Sequence, residues 1–302
     1  MSKITTPAMV KLNKKTKGRH KETGNTPMQE GLKRLRKNKT AMAGMIIILF
    51  LIIIAIFAPL IAPYGYQEQS YTEVRLGPSL QHLFGTDHLG RDIFSRCVYG
   101  TRYSLPIGLI CTLLGLVIGG GLGLVAAYFG GRTDNIIMRI IDIIQAIPSI
   151  LLCIALVAIL GNGMWQLVVA ITAGTIQGMT KNVRAAVFMV RNNEYVNSSK
   201  SIGVSDFQIM IRHLVPNAVG IIVINAVGVV ATSILTISSL SYLGVGLVAP
   251  TPEWGAILAE GKQYMAVAPH MVYFPGLMIA ITVVAFYLFG NGLRDALDPR
   301  LK

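Results

Sequence analysis

Residues 41–61, AMAGMIIILFLIIIAIFAPLI, decide the fold class of this chain. A helix needs about 20 apolar residues to cross the roughly 30 Å hydrocarbon core of a bilayer. Backbone polar groups in lipid must pair within the chain, so a crossing segment is a helix or part of a closed barrel. Barrel strands are short and alternate apolar with polar residues, whereas this run is continuous. It therefore predicts a transmembrane helix.

The composition extends this interpretation to the whole chain. Of its 302 residues, 53% are hydrophobic and 14% are charged. A soluble domain carries about a quarter charged residues, so lipid is the expected solvent. Further apolar runs occupy residues 104–128, 136–160, 218–240 and 274–293, and a shorter one occupies residues 165–179. We predict an all-α integral membrane protein with six transmembrane helices.

The shorter run counts as a crossing because of the charges that follow it. Without a crossing at 165–179, the basic side chains of residues 181–216 would lie outside the cell. With it, they join the basic N-terminal region in the cytosol, as the positive-inside tendency requires. The prediction is a multi-pass protein of the cytoplasmic membrane with both termini in the cytosol. Its external loops span about 62–103 and 241–273, and a long cytosolic loop spans about 190–217.

The net charge of +13 is concentrated at one end of the chain. Twelve Lys and Arg residues precede residue 40, against only Glu22 and Glu30. A basic tail of low hydrophobicity cannot bury enough apolar surface to fold alone. Residues 1–39 are therefore expected to be a disordered cytosolic tail next to anionic lipid, and residues 40–302 the transmembrane domain. Nucleic acid is rejected as a partner because the positive charge is not spread over a folded surface.

The second apolar run contains glycines at a spacing that favours close helix contact. Gly115, Gly119 and Gly123 form two overlapping GxxxG pairs. Small residues at this spacing let a neighbouring helix approach closely in lipid. Helix packing is the expected role, and a hinge or a substrate path is the alternative.

The cytosolic stretch 194–217, EYVNSSKSIGVSDFQIMIRHLVPN, carries the most specific signal. Small side chains precede Gly203, which needs either a positive φ or space for a close neighbour. Ser205 and Asp206 can then cap a second helix. Its apolar face would hold Phe207, Ile209, Met210 and Ile211. Pro216 is expected to end that helix before the fifth span. Two short helices joined at a glycine would offer small residues and a bend to a partner.

This stretch resembles the cytosolic coupling motif of binding-protein-dependent ABC importer permeases. That motif reads Glu-Ala-Ala, three residues, Gly, nine residues, Ile, one residue, Leu-Pro. Gly203 and Pro216 fall in register, and Asn197, Ser198 and Ser199 replace Glu-Ala-Ala. The segments FGTDHLGRDIFSRCVYGTRYSLPIG (84–108), PTPEWG (250–255) and GNGLRDALDPRL (290–301) resemble the second permease subunit of dipeptide, oligopeptide and nickel importers. The resemblance implies a type I ABC importer permease fold.

Three groups of candidate site residues follow. The coupling set for the ATPase is Glu194, Tyr195, Ser198, Ser199, Gly203, Val204, Ser205 and Pro216. The external docking set, assigned by analogy to the solute-binding protein, is Asp87, Gly90, Arg91, Asp92, Arg96, Pro252, Glu253, Trp254 and Gly255. The pathway set, chosen as polar residues of the spans, is Gln145, Thr172, Thr175, Gln177 and Asn225.

The resemblance also implies the partners. They are a second homologous permease subunit, two ATP-binding subunits and an extracytoplasmic solute-binding protein. The chain has no GxxxxGK[ST] phosphate loop, so ATP and Mg²⁺ belong to the partner subunits. We expect no catalytic residues, no cofactor and no metal site in this chain, which is a transport subunit and not an enzyme.

The resemblance implies import of dipeptides or oligopeptides, driven by the partner ATPase subunits. Two alternatives to peptide import stay open. His82, His88 and His270 fall in the predicted external loops, which would suit the nickel or metal-chelate branch of the family. A secondary transporter or channel would need an ion site, and Asp142 is the most conspicuous acid near the membrane. Arg139, three residues before Asp142 on one helical face, is its expected partner.

Overall fold

The computed structural model describes residues 34–297, and within them the chain is helical apart from loops and one isolated β-bridge, Thr86–Asp92. This architecture confirms the predicted all-α class. The helices are α1 Lys39–Ile61, α2 Ile93–Phe129, α3 Gly131–Gln145, α4 Ser149–Leu160, α5 Met164–Val190, α6 Glu194–Ser201, α7 Asp206–Tyr242, α8 Trp254–Gly261 and α9 His270–Leu297. A single 3-10 turn, Lys262–Tyr264, follows α8.

Four helices between residues 34 and 297 are long and apolar enough to cross a membrane by themselves. They are α1, α2, α7 and α9, which contain the predicted first, second, fifth and sixth spans. Large side chains of α1 such as Ile46, Phe50 and Ile53 are exposed, as expected where lipid is the solvent. With 27 residues, α5 is about 40 Å long at about 1.5 Å per residue, so its length is compatible with a crossing.

The predicted third span is not one straight helix. The helices α3 and α4 meet at an angle of 82°. The ring of Pro148 excludes the helical conformation for Ile147 and removes a backbone donor, which explains the break. With 12 residues, α4 is about 18 Å long, which is too short to cross alone. The run 136–160 is therefore a broken segment, and six crossings stay a prediction with which this fold is compatible.

The helix α2 is longer than its sequence predicted. It begins at Ile93, eleven residues before the predicted start at residue 104, because Asp92 caps it by accepting a hydrogen bond from the Ser95 amide at 2.7 Å. The added turns carry polar side chains such as Arg96 that are buried in protein. A π-helical segment, Leu116–Gly120, interrupts the regular helix.

The glycines of α2 pack against α5, as predicted. A methyl group at Gly115 would lie 2.5 Å from the Thr175 hydroxyl oxygen, and one at Gly119 would lie 2.6 Å from the Ile176 carbonyl oxygen. Gly44 similarly lets α1 approach α9, since a methyl group there would lie 2.6 Å from the Ala285 carbonyl oxygen. Small residues thus set the contacts between these helices.

A buried cluster around Trp254 joins five helices. Trp254, at the start of α8, packs with Leu51 of α1, Leu105 of α2, Ile234 of α7 and Phe286 of α9. Its indole Nε1 donates to the Cys97 carbonyl at 2.9 Å. The external segment that contains α8 is thereby fixed to the spans beneath it.

Most of the predicted tail lies outside the described residues, since the description begins at residue 34. Residues 34–37 are helical, and Leu35 is buried against Ala41 and Ala296. The folded domain therefore begins a few residues before the predicted boundary at 40. Residues 298–302, which include the end of the predicted C-terminal motif, also lie outside the described range.

Candidate functional site: coupling segment, external cluster and pathway

The predicted bend at Gly203 is formed by a helix C-cap. Gly203 has a φ of +80°, and a methyl group there would meet nothing within 4 Å. Its amide donates to the Lys200 carbonyl at 3.1 Å, and the Val204 amide donates to the Ser199 carbonyl at 3.1 Å. These two bonds are the Schellman arrangement, in which a left-handed residue ends the helix. Of the two reasons predicted for a glycine here, the positive φ is found and the close neighbour is not.

Beyond the bend the chain does not form a separate second helix. Ser205 caps α7 by accepting from the Gln208 amide at 3.4 Å, as predicted. The helix then continues through a π-helical segment, Ile209–Leu214, into the long span. Pro216 therefore does not end a helix, and this prediction is wrong. Proline is tolerated in the first turn of Val215–Tyr242, and the π-helical segment precedes it.

The coupling set is divided between surface and interior. Glu194, Ser198, Gly203, Ser205 and Pro216 are exposed, Tyr195 and Val204 are half-buried, and Ser199 is buried. The predicted apolar face is divided too, because Ile209 is buried while Phe207 is 70% exposed. Phe207 and Ile211 are exposed together with Ile202, which is 80% exposed. Phe207 and Ile211 belong to the predicted apolar face, whereas Ile202 was not predicted. These three exposed apolar side chains, at positions 202–211 around the bend, are called the apolar patch below.

Side chains near the ends of α2 and α5 hold the coupling segment in place. The Tyr128 hydroxyl donates to Asp206 Oδ1 at 2.5 Å, and the Lys200 ammonium lies 4.6 Å from the Tyr128 ring centre. Arg191 donates to the Ala127 carbonyl at 2.6 Å. The sequence analysis missed these anchors, because their partners lie far away along the chain.

Buried apolar contacts reinforce the same attachment. Val196 of α6 and Ile209 of α7 pack with Leu124, Ala127 and Val187. These contacts attach α6 and the start of α7 to the ends of α2 and α5.

Ion pairs link α3 to α5. Asp134 accepts two hydrogen bonds from the Arg184 guanidinium, at 2.5 and 2.6 Å. Asp142 pairs with Lys181 at 2.9 Å, so the expected pairing with Arg139 is wrong. Its partner comes from the next helix, which charge spacing along one helix does not indicate. Since Asp142 is exposed and paired, it offers no ion site of the kind a secondary transporter needs.

The external docking set consists of buried side chains. Asp87, Arg91, Asp92 and Arg96 are each at most 3% exposed. Gly90 is buried and has a φ of +73°, where a side chain would meet the Ser70 carbonyl. These residues have no surface to offer a docked protein in this structure. Contact with a solute-binding protein stays a prediction for the loop that they support.

A four-membered ionic cluster organises the first external loop. Asp87 Oδ2 accepts from Arg91 Nε and from Arg96, both at 2.6 Å. Glu260 Oε2 accepts from the same two guanidiniums, at 2.6 and 2.5 Å. The cluster joins residues 87–96 to the end of α8. Glu260 was absent from the predicted set.

The pKa of Asp87 is held below its ordinary value of 3.8. Burial alone would raise this pKa. The opposing effect is larger, because the carboxylate is favoured by the Arg96 and Arg91 guanidiniums and by the amide N–H groups of Arg91 and Leu89, so the net shift of the pKa is downward. Asp87 is therefore a permanent anion at neutral pH. Two buried guanidiniums depend on its charge.

The second part of the docking set is buried as well. Pro252, Glu253, Trp254 and Gly255 all lie in the interior. Glu253 caps α8 by accepting from the Ala256 amide at 3.0 Å. Its other oxygen accepts from the Ser104 and Ser238 hydroxyls, at 3.2 and 3.0 Å. This carboxylate therefore joins α2, α7 and α8.

The histidines are engaged in structural contacts. His82 Nδ1 lies 2.9 Å from Asp92 Oδ1, and His270 Nε2 lies 3.1 Å from the Thr86 carbonyl oxygen. His88 can approach Asp87 and Glu260 with ligand atoms within 4.8 Å of one another. Those two carboxylates, however, already bind two guanidiniums, and the positive charges oppose a cation.

The predicted pathway residues are distributed over three helices. Gln145 lies on α3, Thr172, Thr175 and Gln177 lie on α5, and Asn225 lies on α7. Thr172 and Gln177 are buried and each retains a side-chain atom without a hydrogen-bond partner among residues 34–297. Thr175 borders a cavity of about 220 Å³ between α4, α5 and α7. The role of this set in a substrate pathway stays a prediction.

Comparison with known proteins identifies the family of this chain. The family model described as "Binding-protein-dependent transport system inner membrane component" matches residues 119–302. A second model, "N-terminal TM domain of oligopeptide transport permease C", matches residues 26–78. The chain belongs to the ABC importer permeases. Its branch is that of the oligopeptide and glutathione systems.

Individual relatives agree with this assignment. The "Glutathione transport system permease protein GsiD" of Escherichia coli O6:K15:H31 (strain 536 / UPEC) is 45% identical over 278 residues, which are 92% of each chain. The protein of the same name from Pectobacterium atrosepticum is also 45% identical over 278 residues. The permease is thus a multi-pass inner-membrane protein of a family that works with ATPase and solute-binding partners.

A solved structure shows the same fold. The structure titled "Inward facing conformations of the MetNI methionine ABC transporter", in its CY5 SeMet soak crystal form, aligns with a TM-score of 0.55. It covers 67% of this chain and 96% of its own, at 21% identity. The predicted type I ABC importer permease fold is confirmed.

Proposed function

We propose that this permease imports short peptides or a peptide-like tripeptide such as glutathione, driven by ATP hydrolysis on partner subunits. The observation that carries the proposal is 45% identity, over 92% of both chains, to a protein named as a glutathione system permease. Substrate, partner numbers and membrane orientation are parts of the proposal.

The coupling mechanism follows from the contacts of α6. An ATPase subunit binds the patch of Ile202, Phe207 and Ile211 together with the exposed serines beside the Gly203 bend. ATP binding draws two ATPases together and displaces the two coupling segments of the permease pair. Because α6 is anchored to the ends of α2 and α5, this displacement rotates the spans between inward and outward openings.

The proposed orientation of the protein in the membrane rests on the distribution of basic side chains. Lys181, Arg184, Arg191, Lys200 and Arg212 lie on α5, α6 and α7 near the coupling segment. The positive-inside tendency assigns this side to the cytosol, together with both termini. The ionic cluster of Asp87, Arg91, Arg96 and Glu260 then lies on the outside, below the surface where a solute-binding protein docks.

Reconstitution tests the substrate. The permease, its partner permease, both ATPases and the binding protein are placed in proteoliposomes, and uptake of labelled glutathione, labelled alanyl-alanine and ⁶³Ni²⁺ is measured with and without ATP. ATP-dependent uptake of either peptide is expected. Uptake of nickel alone would favour the metal branch of the family, and uptake without any ATPase would indicate a secondary transporter.

A further inference from the structure

A small cavity with several hydroxyl groups in its wall lies where α4 begins after the break. Its volume is about 220 Å³, and helices α4, α5 and α7 line it. Hydroxyl groups dominate the polar part of the wall, from Ser149, Thr175, Thr232, Ser233 and Thr236. The lining residues carry no charged side chain.

One end of the cavity offers hydrogen-bond donors. Ser149, the first residue of α4, lines it, and no side chain caps this helix. The Leu151 and Leu152 amides are already bonded to the Pro148 carbonyl, at 2.9 and 3.0 Å, so the donors left at this end are the amides of Ser149 and Ile150. The first turn of a helix has N–H groups without helical acceptors and a partial positive charge, which favours an anion.

Ser233 provides independent support for a ligand. It is 1% exposed, it lines the cavity, and its hydroxyl has no hydrogen-bond partner among residues 34–297. A buried hydroxyl without a partner costs free energy, so such groups are uncommon unless a ligand or water completes them.

The walls contributed by α5 and α7 offer acceptors. The Thr232 and Thr236 hydroxyls donate to the carbonyls of Val229 and Thr232, at 3.0 and 2.9 Å. The Thr175 hydroxyl likewise donates to a backbone carbonyl of α5, at 2.9 Å. With their protons used in this way, these oxygens present lone pairs to the cavity and suit an N–H group.

We propose that this cavity is a subsite that binds the terminal carboxylate and the adjoining N–H group of a short peptide during its passage. The carboxylate lies at the start of α4 and accepts from Ser233, while Thr232 and Thr236 accept from the N–H group. The cavity is smaller than the roughly 300–1,000 Å³ of sites for drug-sized ligands, so it holds one end of a peptide. This inference rests on the proposed function.

Removal of the unpartnered hydroxyl tests the subsite. In the reconstituted importer, Ser233→Ala is expected to lower ATP-driven uptake of labelled alanyl-alanine or glutathione by roughly five- to tenfold. ATP hydrolysis stimulated by the loaded binding protein is expected to stay within about twofold of wild type, since α6 is untouched. If Ser233 has only a structural role, uptake should be unchanged in Ser233→Ala, because the substitution removes a buried hydroxyl that has no partner. Unchanged uptake would therefore overturn the subsite.

The control is a buried hydroxyl away from the cavity. Thr180 of α5 is fully buried and donates to the Ile176 carbonyl at 2.8 Å. Thr180→Ala is expected to leave uptake at the wild-type level. An equal loss of uptake in both variants would show a general packing effect and would also overturn the subsite.

A charge pair tests the carboxylate itself. Ser233→Asp and Ser233→Asn introduce side chains of similar size, but only the first adds a negative charge. We expect uptake at least tenfold lower for Ser233→Asp than for Ser233→Asn, and equal uptake would contradict carboxylate binding. If the wild-type complex takes up neither peptide, the proposed function fails. If the complex takes up peptide at the same rate whatever the side chain at position 233, only the subsite is refuted.

Discussion

The residue on which the coupling mechanism depends most is Gly203. Its φ of +80° lies in the region where a side chain costs roughly 1–2 kcal/mol, and β-branched residues fit worst. Gly203→Val is therefore expected to distort the bend and to abolish ATP hydrolysis stimulated by the binding protein. Membrane insertion should stay normal, since nothing lies within 4 Å of this position.

The matched control at this position is Gly203→Asn, because asparagine tolerates the left-handed conformation better than other side chains. Stimulated ATP hydrolysis should stay above half of the wild-type rate in this variant. Normal transport by Gly203→Val would remove the bend from the mechanism.

The Asp87 carboxylate compensates part of the positive charge of Arg91 and Arg96 in the ionic cluster. Asp87→Asn leaves Arg91 and Arg96 with only Glu260, and loss of one partner in a buried ionic group costs about 3–5 kcal/mol. The protein contains two tryptophans, so the Trp165→Phe background leaves only Trp254, whose indole donates to the carbonyl of Cys97, the residue after Arg96. The fluorescence of Trp254 during denaturation should show a lower free energy of unfolding for Asp87→Asn than for the parent protein. Glu73→Gln, at a half-buried position where the carboxylate lies 3.8 Å from His82 Nε2, should change stability by less than about 1 kcal/mol.

The same carboxylate makes the external segment sensitive to acid. Since the pKa of Asp87 is lower in the folded protein than its ordinary 3.8, its stabilising contribution is complete above 3.8 and is lost as the pH falls through the lower, folded value. Trp254 fluorescence should therefore report a transition in this acidic range. The Asp87→Asn variant should lose this component of the pH dependence. An identical acid transition in both proteins would refute the assignment to Asp87.

At the scale of elements, the contact between α2 and α5 depends on Gly119. A larger side chain there meets the Ile176 backbone, which cannot move aside easily, and overpacking of this kind costs about 1–3 kcal/mol. Gly119→Val should lower the Tm of the purified permease. Gly121→Val is the control on the same helix, because a methyl group at Gly121 meets nothing within 4 Å. Equal Tm values for the two variants would contradict the packing of α2 on α5.

The sequence predicted elements well where a single physical signal decided them. Continuous apolar runs identified α1, α7 and α9, and the glycine spacing identified the face of α2 that contacts α5. The break after α3 was missed, although Pro148 was visible, because hydropathy alone does not distinguish a kinked span from an 82° break. Pro216 was misjudged for the opposite reason, since its place in the first turn of a helix segment makes it harmless.

Residue roles were harder to predict where the partner is distant in sequence. The conspicuous residues Asp87, Arg91 and Arg96 were expected on a docking surface, yet they are buried with Glu260, more than 160 positions away from each. Tyr128 and Asp206, which anchor the coupling segment, are separated by 78 positions. A single sequence carries no signal for such pairs.

At the scale of the whole molecule, two differently built ends are joined by the spans. The predicted external end contains the ionic cluster and Trp254, whereas the predicted coupling end presents an exposed bend and apolar side chains. Contacts of α6 with the ends of α2 and α5 connect the coupling segment to α5, which also lines the small cavity. In the proposed mechanism the first end stays fixed while the second moves.

The most direct test of the account is the accessibility of residue 198 in membrane vesicles. The three native cysteines, Cys97, Cys111 and Cys153, are buried and should react little with a maleimide. Ser198→Cys therefore adds an exposed thiol whose labelling can be distinguished from theirs. A membrane-impermeant maleimide should label it only from the cytosolic face, and bound ATPase subunits should protect it. Labelling from the external face, or labelling that the ATPases do not change, would contradict the central claim that residues 194–217 are the docking surface for an ATP-driven motor.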